Sequence, residues 1–289
     1  MKSLILTIVC MVMLSGCKTN DVSAKKDDNK KAKPLEVTIE ETVYDEEPEI
    51  YDNAFETEIS SIIEQSSLSE YAVSVIDLYN NKRCVHNDHK MQAASLIKLY
   101  IAGCVYENYD AVQQYLGSSD ALEASMSRMI TASDNDAANT LTLALGSGNE
   151  SEGMYKINSY CESHGYSSTH MGRLLLHSNE FDDNYTSVND CGNFLEDIYN
   201  GEIYGADSIL SYMKNQERIS KIPAGVPSGV TVANKTGELA DVENDVAIIF
   251  ADTGAYALSI MTEYVDSPGN VRAWESQLSA DIYVYMTEN

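Results

Sequence analysis

Three short runs of residues carry groups that could make, anchor and release a reactive acyl group: Ser95-Leu96-Ile97-Lys98, Ser133-Asp134-Asn135 and Lys235-Thr236-Gly237. A serine hydroxyl is a poor nucleophile until a base takes its proton. Lys98 follows Ser95 by one helical turn, so on a helix the two side chains share a face and the amine is within reach of the hydroxyl. An amine serves as base only when substantially neutral, a state that burial favours. The segment around Lys98 is apolar on most sides, through Ala94, Leu96, Ile97, Ile101 and Ala102. Each run alone is a weak signal: Ser23-Ala24-Lys25-Lys26 also fits Ser-x-x-Lys, and Ser147-Gly148-Asn149 also fits Ser-x-Asn.

The elements that must position these residues separate the three runs from the chance matches. Phe55, Ile59, Ile62 and Ile63 recur at helical spacing. Residues 72–78, the turn Asn80-Asn81-Lys82 and residues 83–86 predict a β-hairpin. Residues 93–106 predict a buried helix that Ser95 opens. Further helices are predicted over 120–130, 135–145, 152–164 and 188–199, which leaves Ser133 between two of them. Apolar runs at 230–233, 245–251 and 255–263 predict strands, with Lys235 ending the first, and Val271, Trp274, Leu278 and Ile282 mark one face of a C-terminal helix. Strands at both ends flank a helical middle. To avoid exposed edges the hairpin must join the C-terminal strands. The predicted fold is therefore α/β of the α+β kind: one antiparallel sheet covered by the two terminal helices, a helical subdomain beside it, and a cleft between.

The three motifs in this order resemble the signature of class A β-lactamases and penicillin-binding proteins. The likeness extends to Ile130-Thr131-Ala132 and Asp136-Ala137-Ala138-Asn139 around the second motif, to Val232-Ala233-Asn234 and Glu238 around the third, and to Asn244-Asp245-Val246-Ala247 after it. It runs from about Ala72 to the C-terminus. The resemblance implies a serine β-lactamase/DD-peptidase-like fold and a serine hydrolase, without a cofactor, that forms an acyl-enzyme on Ser95 with Lys98 as base. By the same resemblance Ser133 relays a proton to the leaving nitrogen, Asn135 binds the substrate's amide side chain, and Lys235 with Thr236, in the Lys-Thr-Gly run that Gly237 closes, holds its carboxylate. The backbone N–H groups of Ser95 and Glu238 would form the oxyanion hole. Helix capping is the alternative duty of Ser133 and Asn135, and it is compatible with the first.

Class A β-lactamases also carry a glutamate, between the second and third motifs, that activates the water which removes the acyl group. The family's spacing puts it near residues 167–171, where Ser-Ser-Thr-His-Met holds no acid. Glu180, four residues before Asn184, imitates the family's Glu-x-x-x-Asn spacing but lies late, and reaches the site only if the loop is rearranged. Without such a base the acyl-enzyme is expected to hydrolyse slowly. Three functions follow as expectations: a β-lactamase, a D-alanyl-D-alanine carboxypeptidase or related cell-wall acyl-transfer enzyme, or a surface protein that binds wall peptides or β-lactams without turnover. The expected partner is a β-lactam or an acyl-D-Ala-D-Ala wall peptide, met by a monomer.

A formal net charge of −26 argues against nucleic-acid binding, which needs clustered Lys and Arg. Residues 1–17 read as a lipoprotein signal peptide: Lys2, an apolar run too short to span a bilayer, then Leu14-Ser15-Gly16-Cys17, which resembles the bacterial lipobox with Cys17 as the lipid-bearing residue. Residues 18–53, rich in Lys and then in Glu and Asp, predict a flexible tether, and residues 54–289 the catalytic domain. The expected location is the outer face of a bacterial cell membrane, with the lipid as the membrane contact. Outside signal and lipobox remain Cys84, Cys104, Cys161 and Cys191. Export permits disulfides, and Cys161 with Cys191, each on a predicted helix, is the expected pair. The five histidines show no metal-ligand spacing.

Overall fold

The computed structural model describes residues 53–65, 68 and 70–288. The signal peptide, Cys17 and almost all of the tether lie outside the described residues. The chain opens with helix α1 (Asn53–Ile63), the hairpin β1 (Tyr71–Asp77) and β2 (Lys82–His86), and the short strand β3 (Met91–Gln92). The hairpin turns where expected: the Asp77 carboxylate accepts from the N–H groups of Tyr79 and Asn80, and Asn81 takes a left-handed φ of 54°. A 3₁₀ turn, Ala94–Leu96, leads into α2 (Ile97–Glu107), followed by α3 (Tyr109–Leu116), α4 (Ser119–Thr131), α5 (Asn135–Leu145) and α6 (Glu150–Ser163). A long loop carrying β4 (Tyr185–Thr186) connects to α7 (Val188–Asn200), α8 (Ala206–Lys214) and α9 (Ile222–Gly225). The chain ends in β5 (Thr231–Leu239), β6 (Val242–Ala251), β7 (Gly254–Thr262) and α10 (Pro268–Glu288).

The sheet runs β2-β1-β7-β6-β5, antiparallel throughout, so the N-terminal hairpin joins the C-terminal strands through β1 and β7. Both faces are covered, and the strands therefore read as near-continuous apolar runs. Alternation still sorts their side chains. Val73, Val75, Ala247 and Ile249 pack under Phe55, Ile59 and Ile63 of α1 and Leu278 and Ile282 of α10. Ala72, Ile76, Val246 and Ile248 face the helical subdomain. The axis of that subdomain is α2, in which Ile97 through Val105 are all buried, a helix apolar all round save for Lys98. A charged side chain in such a helix demands partners, and they come from elsewhere in the chain. β5 is longer than the sequence predicts, which puts Lys235 inside the strand rather than at its end.

Candidate active site

Ser95 sits in the 3₁₀ turn at the mouth of α2. Ala94 before it has φ +48°, a left-handed conformation that costs energy for any residue with a Cβ. The surroundings hold the turn in place. Ala93 N donates to Asn184 O at 2.8 Å, and Asn244 on β6 donates from Nδ2 to Gln92 O at 2.9 Å. Gly237 on β5 approaches so closely that a Cβ there would stand 2.7 Å from Ala93 O. The glycine of the third motif is thus a packing requirement, since the strand must reach the turn that carries Ser95.

Lys98 has no exposed surface. Its Nζ lies 3.0 Å from Ser95 Oγ, 2.6 Å from Ser133 O, 2.7 Å from Asn135 Oδ1 and 3.2 Å from Ser133 Oγ. A neutral amine has two N–H groups and one lone pair. Ser133 O and Asn135 Oδ1 can only accept, so they take the N–H groups and leave the lone pair for a hydroxyl. Ser95 supplies it. Burial, and then the charge of Arg218, lower the Lys98 pKa to about 7 against the opposing pull of Asp134.

Ser133 has φ +59°, which turns its carbonyl and hydroxyl together toward Lys98. Asp134 is the residue that caps α5, accepting from Ala137 N at 2.8 Å, while Asn135 is the first helical residue. The Ser-Asp-Asn run therefore divides capping and site duties between neighbours. Lys235 Nζ, fully buried, donates to Ser133 Oγ at 2.9 Å and to Thr236 O at 2.7 Å. Burial, then repulsion from Lys98, push the Lys235 pKa well down. Two buried amines sharing one hydroxyl titrate as a unit and resist carrying two protons together.

Ser95, Asn135 and Glu238 open on a cavity of about 240 Å³ whose far wall is the α6–α7 loop, through Arg173, Leu175, Leu176, His177 and Asn179. Asn139 on α5 pins that wall, donating to Leu175 O at 2.9 Å and accepting from Leu175 N at 2.8 Å. The largely buried ion pair of Arg173 Nε with Asp183 Oδ1, 2.7 Å, closes the loop on itself.

The model of the β-lactamase enzyme family matches residues 54–119 and 113–286. The chain belongs to the β-lactamase enzyme family. It is a serine hydrolase of the β-lactamase and penicillin-binding type, with the fold read from its sequence. Its fold matches that of PBP-A with a TM-score of 0.71 at 21% identity, over 84% of this chain and 99% of that one. It also matches a β-lactamase from Sphaerobacter thermophilus DSM 20745 (TM-score 0.68, 16% identity, 81% of this chain and 98% of that one). A third likeness is to a class A β-lactamase of the last common ancestor of Gram-negative bacteria (TM-score 0.67, 17% identity, 80% of this chain and 99% of that one). No curated protein sequence matches the chain.

In this β-lactamase-family enzyme the loop differs from the spacing argument. Residues 167–171 are held away from the cavity: Ser168 N and Thr169 Oγ1 donate to Asp190 Oδ2, and Met171 N to Asn158 Oδ1. The wall begins two residues later, at Arg173. Glu180 is exposed, its N–H donating to Ser178 Oγ, and it is not among the cavity-lining residues, so the loop is not rearranged to bring it to Ser95. Glu238 lines the cavity together with Ser95. Its side chain has a separate environment, 2.8 Å from Arg218 Nη1 and 3.4 Å from Lys221 Nζ.

The expected Cys161–Cys191 disulfide is absent: both are free, buried thiols, as are Cys84 and Cys104. Cys191 on α7 receives the Tyr100 hydroxyl at 3.6 Å, and Cys161 on α6 lies close enough to Cys104 on α2 for burial and that neighbour to raise its pKa. Each thiol fills the core as a small apolar side chain. Sequence reasoning gave no role to Asn139, Asn244 or Arg218. The first two lie in the stretches that carry the family likeness; Arg218 is in no motif.

Proposed function

We propose that this enzyme forms an acyl-enzyme on Ser95 with β-lactams and acyl-D-alanyl-D-alanine wall peptides, and that the acyl group leaves slowly. Ser95 Oγ attacks the acyl carbonyl as its proton passes to the Lys98 lone pair, while the N–H groups of Ser95 and Glu238 receive the developing oxyanion. Asn135, its Oδ1 occupied by Lys98, keeps its Nδ2 for the substrate's amide carbonyl. Lys235 and Thr236 hold the carboxylate. Ser133, between the two amines, hands a proton to the leaving nitrogen as the C–N bond breaks.

The wall of the cavity carries the slow step. Across the cavity from Ser95 the loop contributes Arg173, Leu175, Leu176, His177 and Asn179, with no carboxylate among them. A general base there is worth about 10²–10⁴-fold, so acylation and deacylation come apart. PBP-A, the similar structure, has been captured as a leucine-to-glutamate variant in an acyl-enzyme complex with penicillin G. The same wall favours a cell-wall carboxypeptidase as the second reading. Intact-mass spectrometry of the protein mixed with penicillin decides: a lasting adduct supports the proposal, and a vanishing one means a working β-lactamase. No adduct leaves a non-catalytic binding protein. If turnover is fast, its loss in His177→Gln assigns water activation to His177, and its loss in Glu180→Gln assigns it to Glu180 after loop movement. The proposal also includes lipid anchoring at Cys17 on the outer face of the membrane. Cys17→Ser is expected to release the protein into the medium or leave it unprocessed, and unchanged membrane fractionation with lipid attached contradicts it.

A further inference from the structure

The side chain that directly follows the Lys-Thr-Gly run has no part in the acylation steps above, yet it is built into the cavity. Glu238 Oε2 lies 2.8 Å from Arg218 Nη1 and 3.8 Å from Arg272 Nη2, and its Oε1 is 3.4 Å from Lys221 Nζ. Lys221 and Arg272 each have a closer partner in Glu243, at 2.7 and 2.6 Å. Arg218 meets its carboxylate in Glu238. Burial opposes the ionised form of Glu238, but Lys221, Arg218 and Arg272 outweigh it and hold the carboxyl below its usual range. Arg218 O accepts from Asn234 Nδ2 at 3.1 Å, which seats Arg218 beside the stretch of β5 whose Lys235 and Thr236 hold the substrate carboxylate in the acyl-transfer reading.

We propose that Glu238 is a specificity-determining residue: its carboxylate occupies Arg218 and meets an incoming carboxylate with like charge, leaving Lys235 and Thr236 as that carboxylate's partners. The inference rests on the acyl-transfer reading and deepens it. A cation already paired offers little to a second anion, and a like charge nearby repels it. Acyl donors whose carboxylate is esterified or amidated therefore lose less here than in a site with a free arginine, and the substrate class extends to such neutral donors.

The test uses the full chain in detergent, with benzylpenicillin and its methyl ester as probes, and reads the ratio of their second-order acylation constants by intact mass. Glu238→Gln is expected to raise the acid-over-ester ratio about fivefold, equivalent to ~1 kcal/mol. Adding Arg218→Met to that variant returns the ratio to the wild-type value. In the otherwise unchanged protein Arg218→Met moves the ratio less than twofold, because the guanidinium is already taken. A ratio that stays flat or falls in Glu238→Gln, or drops tenfold in Arg218→Met alone, overturns the inference. Arg218 is half exposed, so its single variant decides the matter even if Glu238→Gln fails to fold. Wild-type protein that forms no adduct with either probe sinks the acyl-transfer reading and this inference together. Normal wild-type acylation with unmoved ratios sinks the inference alone.

Discussion

In the proposed acyl transfer, the reactivity of Ser95 would rest on the direction of one lone pair. Two acceptors without protons, Ser133 O and Asn135 Oδ1, would use both N–H groups of a neutral Lys98 and leave its lone pair for the Ser95 hydroxyl 3.0 Å away. Ser95→Ala removes that hydroxyl and leaves the backbone bonds of the turn untouched. Covalent labelling by a fluorescent penicillin is expected to vanish while the melting temperature holds, and labelling that persists would move the nucleophile elsewhere. The pH profile follows from the same atoms. As the proposed base, Lys98 would work in its deprotonated form, and its pKa is lowered to about 7. Acylation should therefore rise as pH increases through about 7 and level off above it, measured by stopped-flow across that range. A rate that falls with rising pH in that window would exclude Lys98 as the base.

At the scale of elements, the site depends on α5 serving two neighbours. Its first residue, Asn135, points to Lys98, and one turn on, Asn139 grips the loop through both backbone groups of Leu175. The 3.6-residue period puts positions 135 and 139 on one face, so a single helix sets the distance between the nucleophile and the wall opposite it. Asn139→Ala leaves the Leu175 N–H and C=O without these partners, a loss of about 1–3 kcal/mol by the usual cost of unsatisfied groups. Denaturant unfolding should register it. The adduct's lifetime should change as well, because water then gains access along a loosened wall. Unaltered stability and lifetime would mean the loop is held by Arg173–Asp183 without help from α5.

For the whole molecule, the cysteines test how the core is closed. Unfolded without reductant and treated with iodoacetamide, the protein is expected to take label at both Cys161 and Cys191, and a mass showing them bridged would contradict the packed thiols described above. Amphipathic spacing, the Asn80-Asn81-Lys82 turn and the apolar strands are properties of residues a few positions apart, and for that reason the helices and the hairpin were legible in the sequence; that the hairpin joins the C-terminal strands followed from the need to cover strand edges. So was the closeness of Ser95 and Lys98, because Ser-x-x-Lys needs only one turn of helix to bring its ends together. Tertiary structure alone decided what surrounds them. Ser133 meets Lys98 across 35 residues and Lys235 across 102, and Asn139 meets Leu175 across 36. Contacts over such separations are set by the packing of whole elements, which no local period records. That is why the wall facing Ser95 proved to be residues 173–179 rather than 167–171, why the Cys161 and Cys191 thiols stayed unpaired in the core, and why Glu238 found Arg218, a residue without a motif, at the edge of the site.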